Sequence, residues 1–179
     1  FAQGGRGMVL LGHPKKDEWL RSKKGGKMSL EWLDSLLEED ELAEFFIMEY
    51  LPGNEYSVDV LCYEGEPEII IPRVRKMVVD GKAVVSRLLR HEGLITCVKE
   101  LIQMFNLSYI VNIQFKEDRY GHPKLLEINA RVPGTLAADL AGGINMFEEA
   151  LNLIYFGRIK NREVRWETEC GRFFQELYR

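Results

Sequence analysis

Cysteine and histidine are both scarce in this chain. Cys62, Cys97 and Cys170 are odd in number and far apart, and His13, His91 and His122 show no metal-like spacing to them or to one another. That argues against a disulfide framework and suits a reducing cytoplasm, with the thiols packing as small hydrophobes. No apolar run approaches the length of a membrane span, so no membrane partner is expected. A basic stripe is missing too. The net charge is -4, which disfavours nucleic acid as a partner, although Arg73-Val74-Arg75-Lys76 is a local run able to meet phosphates. What is present is ordinary for one compact domain: 179 residues, 46% hydrophobic and 29% charged, without internal repeats.

The opening, Phe1-Ala2-Gln3-Gly4-Gly5-Arg6-Gly7-Met8, has no initiating methionine and reads as a glycine-rich turn leading into a short strand, Met8 to Leu11. The chain is therefore expected to be the later part of a longer protein. Lys15 to Lys27 reads as a short helix or loop, and Ser29 can cap an amphipathic helix from Leu30 to about Asp40. Strands are expected at Phe45 to Tyr50, Glu55 to Tyr63, Ile69 to Val79 and Lys82 to Leu89, joined by turns at Pro52-Gly53-Asn54, Glu64-Gly65-Glu66 and Asp80-Gly81. Leu94, Val98, Leu101, Ile102 and Phe105 define a helix over Gly93 to Phe105 that packs on the sheet. Beyond a further strand pair, Pro133-Gly134-Thr135 opens a helical region, Gly142-Gly143 interrupts it, and Met146 to Tyr155 resumes it before a tail.

That further pair, Ile110 to Lys116 and Lys124 to Arg131, is the most informative stretch. Asn112, Gln114 and Lys116 fall on one face of the first strand and Glu127, Asn129 and Arg131 on one face of the second, with apolar rows opposite. If the hairpin closes about Tyr120-Gly121, Gln114 comes opposite Glu127 and Asn129 lies two residues along, so three oxygen donors converge. Oxygen ligands with a single carboxylate suit a hard cation such as magnesium, which takes its other ligands from water and phosphates. Arg131 is then placed to neutralise phosphoryl oxygens. A strand pair with one solvated face alternates in the same way, so the pattern alone leaves both readings open.

The order of motifs decides more than any one of them. A glycine-rich turn is followed by Phe46-Ile-Met-Glu49-Tyr-Leu51-Pro-Gly53-Asn-Glu55-Tyr-Ser-Val-Asp59, then Asn112-Ile-Gln114-Phe115, then Leu126-Glu127-Ile-Asn129-Ala-Arg131. In that order the chain resembles an ATP-grasp domain over nearly its whole length, with the flavour of those in the large subunit of carbamoyl phosphate synthetase. The resemblance implies an α+β fold, an antiparallel sheet flanked by helices, as a fragment whose first subdomain is truncated. Residues 1–47 would end a lid-like subdomain with its glycine-rich loop and helix, and residues 48–179 would form the carboxyl-terminal subdomain.

The resemblance also implies roles. Glu49 and the backbone at Tyr50 and Leu51 would read adenine, Glu55 would meet the ribose hydroxyls, and Gly4, Gly5, Arg6 and Gly7 would end the loop that covers the phosphates. Gln114, Glu127 and Asn129 would hold Mg2+, with Mn2+ as a substitute, and Arg131 would act in catalysis at the phosphoryl group or the carboxylate substrate. Arg73, Arg75 and Arg87, on hairpin strands, are candidates for substrate or phosphate contact, with an exposed, solvated hairpin as the other reading.

The implied activity is that of an ATP- and magnesium-dependent carboxylate ligase, in which a small carboxylate is phosphorylated to an acyl phosphate that an amine or similar acceptor then opens. The family's phosphate-binding lysine belongs on a strand before the glycine-rich loop, which these residues do not include. The fragment alone is therefore expected to be inactive and to need the amino-terminal part of the same protein. Carbamoyl phosphate synthetases typically carry another arginine three residues beyond the one matching Arg131, where this chain has Gly134. That favours a ligase joining a carboxylate to an amine over phosphorylation of bicarbonate or carbamate. The remaining alternative is a non-catalytic nucleotide-binding or interaction module that kept the fold.

Overall fold

Alternation of β-branched and polar residues sets most of the strands. The structure, a computed structural model, describes residues 10–11, 27–28, 48–79 and 81–173. Two short strands, β1 (Leu10–Leu11) and β2 (Lys27–Met28), pair in parallel. The remaining strands are β3 (Glu55–Tyr63), β4 (Glu66–Val79), β5 (Lys82–Leu88), β6 (Tyr109–Glu117), β7 (Pro123–Asn129) and β8 (Glu169–Gly171). They form one six-stranded sheet in the order β7-β6-β3-β4-β5-β8, antiparallel at every junction. Helices α1 (Glu92–Met104), α2 (Ala137–Ala141) and α3 (Met146–Phe156) complete an α+β fold of the expected kind.

Helix α1 starts where His91 accepts a hydrogen bond from the Leu94 N–H at 3.2 Å, and Glu92 lies in its first turn, near the positive end of the helix dipole. It lays Leu94, Val98 and Ile102 on the row formed by Val58, Val60, Val111, Ile113 and Phe115, all of them buried. Each such side chain contributes roughly 1.5–3 kcal/mol on leaving water. Among the described residues, the opposite face of the sheet is covered at one end, where Ala138, Ile144 and Met146 of the α2–α3 region meet Leu61, Ile71 and Leu88. A methyl group at Gly142 would lie 2.3 Å from Leu88 Cδ1, so the bare backbone there lets α2 approach β5.

The predicted hairpin forms, with Gln114 opposite Glu127 and Asn112 opposite Asn129. Its turn is held by Asp118, whose carboxylate accepts the N–H groups of Tyr120 at 2.8 Å and His122 at 3.0 Å. A bulge follows Gln114, since Phe115 pairs with Leu125. Strand β7 stops at Asn129 rather than at Arg131, because the Arg131 N–H turns back to the Asn129 carbonyl at 2.8 Å. Met48 to Tyr50 is not strand, contrary to expectation. Strand β8 was not foreseen: it borrows three residues from the tail. The glycine-rich loop Gly4 to Gly7, the helix from Leu30 to Asp40 and the boundary at residue 47 lie outside the described residues.

Candidate functional site

Along the face turned away from α1, the side chains change character from one end of the strands to the other. Under α2 and α3 they are apolar. In the middle they are polar and buried: Ser57, Asp59, Arg73 and Asn112. At the far end Glu55 and Gln114 are half-buried and Glu127 is exposed, with the Arg75 side chain lodged among them. Sequence alternation marked the β6–β7 part of this face as chemical; the end near Leu61, Ile71 and Leu88 is core, because the helices after Pro133 fold back over it.

Arg73 has no exposed side-chain surface. Its Nη1 bonds Asp59 and lies 3.2 Å from Asp139 Oδ1, while Nη2 donates to Ser57 Oγ at 3.1 Å and to Thr135 Oγ1. Asn112 Nδ2 adds bonds to Ser57 Oγ at 2.8 Å and Asp59 Oδ1 at 2.6 Å. Burial works against the charge on Arg73, but Asp59 and then Asp139 overcome it and hold its pKa above the ordinary value. Burial, then the neighbouring Asp59, push the Asp139 carboxyl up to about 9 although Arg73 opposes them, so Asp139 carries a proton at neutral pH. Arg73 is thus no substrate contact: it is fully buried and both Nη groups bond interior partners, with Nε unpaired among the described residues. Arg87, grouped with it from the sequence, pairs with Val74 on the α1 side and meets Glu167 at 3.0 Å.

At the open end the three predicted metal ligands do come together. Gln114 Nε2 donates to Glu127 Oε1, and Asn129 Nδ2 donates to the same oxygen at 2.8 Å. The atoms differ from the expectation of three converging oxygens, since both carboxamides turn N–H groups toward Glu127. Arg75 accounts for this at Gln114. Its Nη1 bonds Glu55 and donates to Gln114 Oε1 at 2.9 Å, and its Nη2 donates to the Gly81 carbonyl at 2.6 Å. Arginine only donates and a carboxylate only accepts, so the orientation of the amide between them follows. Lys116 Nζ stands 3.9 Å from Glu55 on its other side. Among the described residues, no cluster of three or more His, Cys, Asp or Glu side chains is arranged for a metal. A set of one carboxylate and two carboxamides fits a hard cation once the amides present their oxygens.

Arg131 is exposed just past β7 and, among the described residues, donates only to the carbonyl of Val132, at 3.3 Å. Of the expected adenine hinge, Glu49 is exposed, Tyr50 half-buried and Leu51 buried. The turn that follows is fastened to β6 by Glu117, which was missed from sequence. The Gly53 N–H donates to the Glu117 carbonyl at 3.0 Å, the Asn54 N–H to its Oε2 at 3.0 Å and the Tyr56 hydroxyl to its Oε1 at 2.5 Å. Burial first, and Glu117 second, push the Tyr56 hydroxyl up to about 12. The available signal was an acidic residue ending the apolar row Val111, Ile113, Phe115.

Residues 41–170 match the family described as "ATP-grasp in the biosynthetic pathway with Ter operon", and the chain belongs to the ATP-grasp family. No curated protein matches it. Among solved structures it is similar to biotin carboxylase from Campylobacter jejuni in complex with a β-γ-ATP ligand, with TM-score 0.53, 13% identity and 68% of this chain against 30% of that one. It is also similar to the phosphoribosylaminoimidazole carboxylase ATPase subunit from Aquifex aeolicus, with TM-score 0.54, 17% identity and 69% against 38%. A third is the biotin carboxylase domain of Hydrogenobacter thermophilus 2-oxoglutarate carboxylase, in complex with MgADP, ADP and bicarbonate, with TM-score 0.52, 15% identity and 65% against 28%. At these identities the likeness speaks for the fold, and the chain spans about 30% of the length of the biotin carboxylases. The ATP-grasp resemblance read from the sequence thus holds at the level of the superfamily. No helix among the described residues is long and apolar enough to cross a membrane.

Proposed function

We propose that the chain is part of a cytoplasmic ATP- and Mg2+-dependent ligase that activates a small carboxylate as an acyl phosphate and passes the acyl group to an amine or similar acceptor. The observation that carries this is the meeting of Gln114, Glu127 and Asn129 at the open end of a sheet face, beside Glu55 and Arg75. Glu49 and the backbone of Tyr50 and Leu51 would receive adenine, and Glu55 the ribose hydroxyls. Gln114, Glu127 and Asn129 would hold Mg2+, for which Mn2+ substitutes, and the bound cation would neutralise phosphate oxygens and keep them in line. Gly4, Gly5, Arg6 and Gly7 would close over the phosphates, with the rest of the same protein supplying further contacts.

In the reaction a carboxylate oxygen of the substrate bonds to the terminal phosphorus and ADP departs; the acceptor nitrogen then attacks the acyl carbon and inorganic phosphate leaves. Arg131, exposed just past the end of β7, would steady the charge on the transferred group. Titration of the full-length protein with ATP, with and without Mg2+, tests the reading. Glu127→Ala should abolish the metal-dependent part of the affinity and any ADP release in the presence of carboxylates and amines. Metal-dependent affinity that survives the substitution would end the proposal. The 179-residue chain by itself is expected to bind ATP weakly or not at all, and micromolar affinity would refute that expectation.

A further inference from the structure

We propose that Arg75 is an internal competitor for the cation, keeping Gln114 turned the wrong way until a nucleotide offers the guanidinium other anions. This rests on the metal-site reading of Gln114, Glu127 and Asn129. Gln114 has one amide oxygen, and Arg75 Nη1 holds it at 2.9 Å while also bonding Glu55. The opposite end of the amide, the NH2 group, then points at Glu127 Oε1 and, at 3.5 Å, Asn112 Oδ1. A cation seated between Gln114 and Glu127 needs the oxygen there instead. Turning the amide over would set its NH2 against Arg75, donor against donor, so the cation gains its ligand only if Arg75 lets go.

Arg75 does not let go easily. Its side chain is 7% exposed and is held from three sides, by Glu55, Gln114 and the Gly81 carbonyl of the β4–β5 turn. Lys116 and Glu55 close the flank. A triphosphate brings several anionic oxygens to this end of the sheet and gives the guanidinium acceptors to exchange for Gln114. The site therefore has two arrangements. In one, Arg75 takes the Gln114 oxygen and Glu127 binds amide hydrogens; in the other, Arg75 sits on the nucleotide and Gln114 faces the cation. Because nucleotide and cation favour the same arrangement, each tightens the other, and Arg75 is the positioning residue that makes the metal wait.

The test uses the full-length protein, Mn2+ followed by the paramagnetic resonance signal of the free ion, and a non-hydrolysable β,γ-imido analogue of ATP. Arg75→Met should bind Mn2+ without nucleotide roughly tenfold more tightly than the wild type, and the further tightening caused by the analogue should shrink by the same factor. Arg75→Lys, which keeps a charge and loses the fork, should fall between the two; it also decides the matter if Arg75→Met does not fold by circular dichroism. Folded variants that bind Mn2+ no tighter than the wild type, or that keep its full coupling, would overturn the latch. Glu127→Gln separates this failure from a deeper one: if it leaves Mn2+ binding untouched in both the wild-type and Arg75→Met backgrounds, the metal site itself is misassigned.

Discussion

Arg73 of β4 and Asp139 of α2 meet inside the protein, with 3.2 Å between Nη1 and Oδ1 and neither side chain exposed. The contact ties the helix that follows the β6–β7 hairpin to the middle of the sheet. It also sets the surroundings of Asn112, which shares Asp59 and Ser57 with Arg73 and lies two residues from Gln114 on the same strand.

Removing the guanidinium should be costly. Arg73→Met leaves the buried Asp59 and Asp139 carboxyls without the guanidinium that bonds them, a loss of about 3–5 kcal/mol. Urea unfolding monitored by tryptophan fluorescence reads this directly, and a change below about 1 kcal/mol would show that the buried network does not depend on Arg73.

The proton on Asp139 gives stability a slope with pH. Unfolded, the side chain titrates near the ordinary carboxylate value of about 3.9; folded, it titrates at about 9. Between those values the folded protein holds a proton that the unfolded chain has lost, so the contribution of this group is full below the lower value and declines as pH rises toward the upper one. Asp139→Asn imitates the protonated acid and should flatten the decline. Urea midpoints of the two proteins should diverge in favour of the variant as pH is raised from about 5 to about 9, and parallel midpoints would contradict the assignment.

The Pro52-Gly53-Asn54 turn depends on close approach. A methyl group at Gly53 would stand 2.5 Å from Glu117 Cβ, so Gly53→Ala must push the turn from β6 at a cost of about 1–3 kcal/mol. Gly134→Ala, with nothing among the described residues within 4 Å of the added carbon, is the control and should be near neutral. Under the nucleotide reading, Gly53→Ala should also weaken ATP binding, because the turn follows the adenine hinge directly.

On the α1 side, Leu94 is wholly buried among the strand residues, and Leu94→Ala should cost about 2–5 kcal/mol. Leu125→Ala, on the half-open outer strand, should change stability by about 0.5 kcal/mol or less. Equal losses at the two positions would mean that the outer face of β7 is covered in solution.

Much of the site was legible because it lies on strands whose polarity alternates strictly. Period two put Gln114, Glu127 and Asn129 on one face, and a five-residue hairpin connection brought them into register. The strand Glu55–Tyr63 and the helix after His91 were readable for the same reason: one repeat, carried through without a break. The fate of Arg73 was not. Whether an arginine on a polar row meets solvent or the interior depends on α2, a five-residue helix far along the chain whose own sequence carries no signal of where it will fold. Amide orientation was illegible too, since Gln114 looks the same in sequence whichever end faces Glu127, and the choice is made by Arg75 from another strand. Strand β8 was missed because three residues are too few to show a period and its formation relies on the free edge of β5.

That last strand has a consequence for how the molecule is made. β5 lies at residues 82–88 and its outer partner at 169–171, so during synthesis the edge of the sheet waits uncovered while some eighty residues pass through the ribosome, the interval in which unpaired strand edges recruit other chains. Truncations ending before Glu169 should therefore betray themselves as aggregates rather than as inactive monomers.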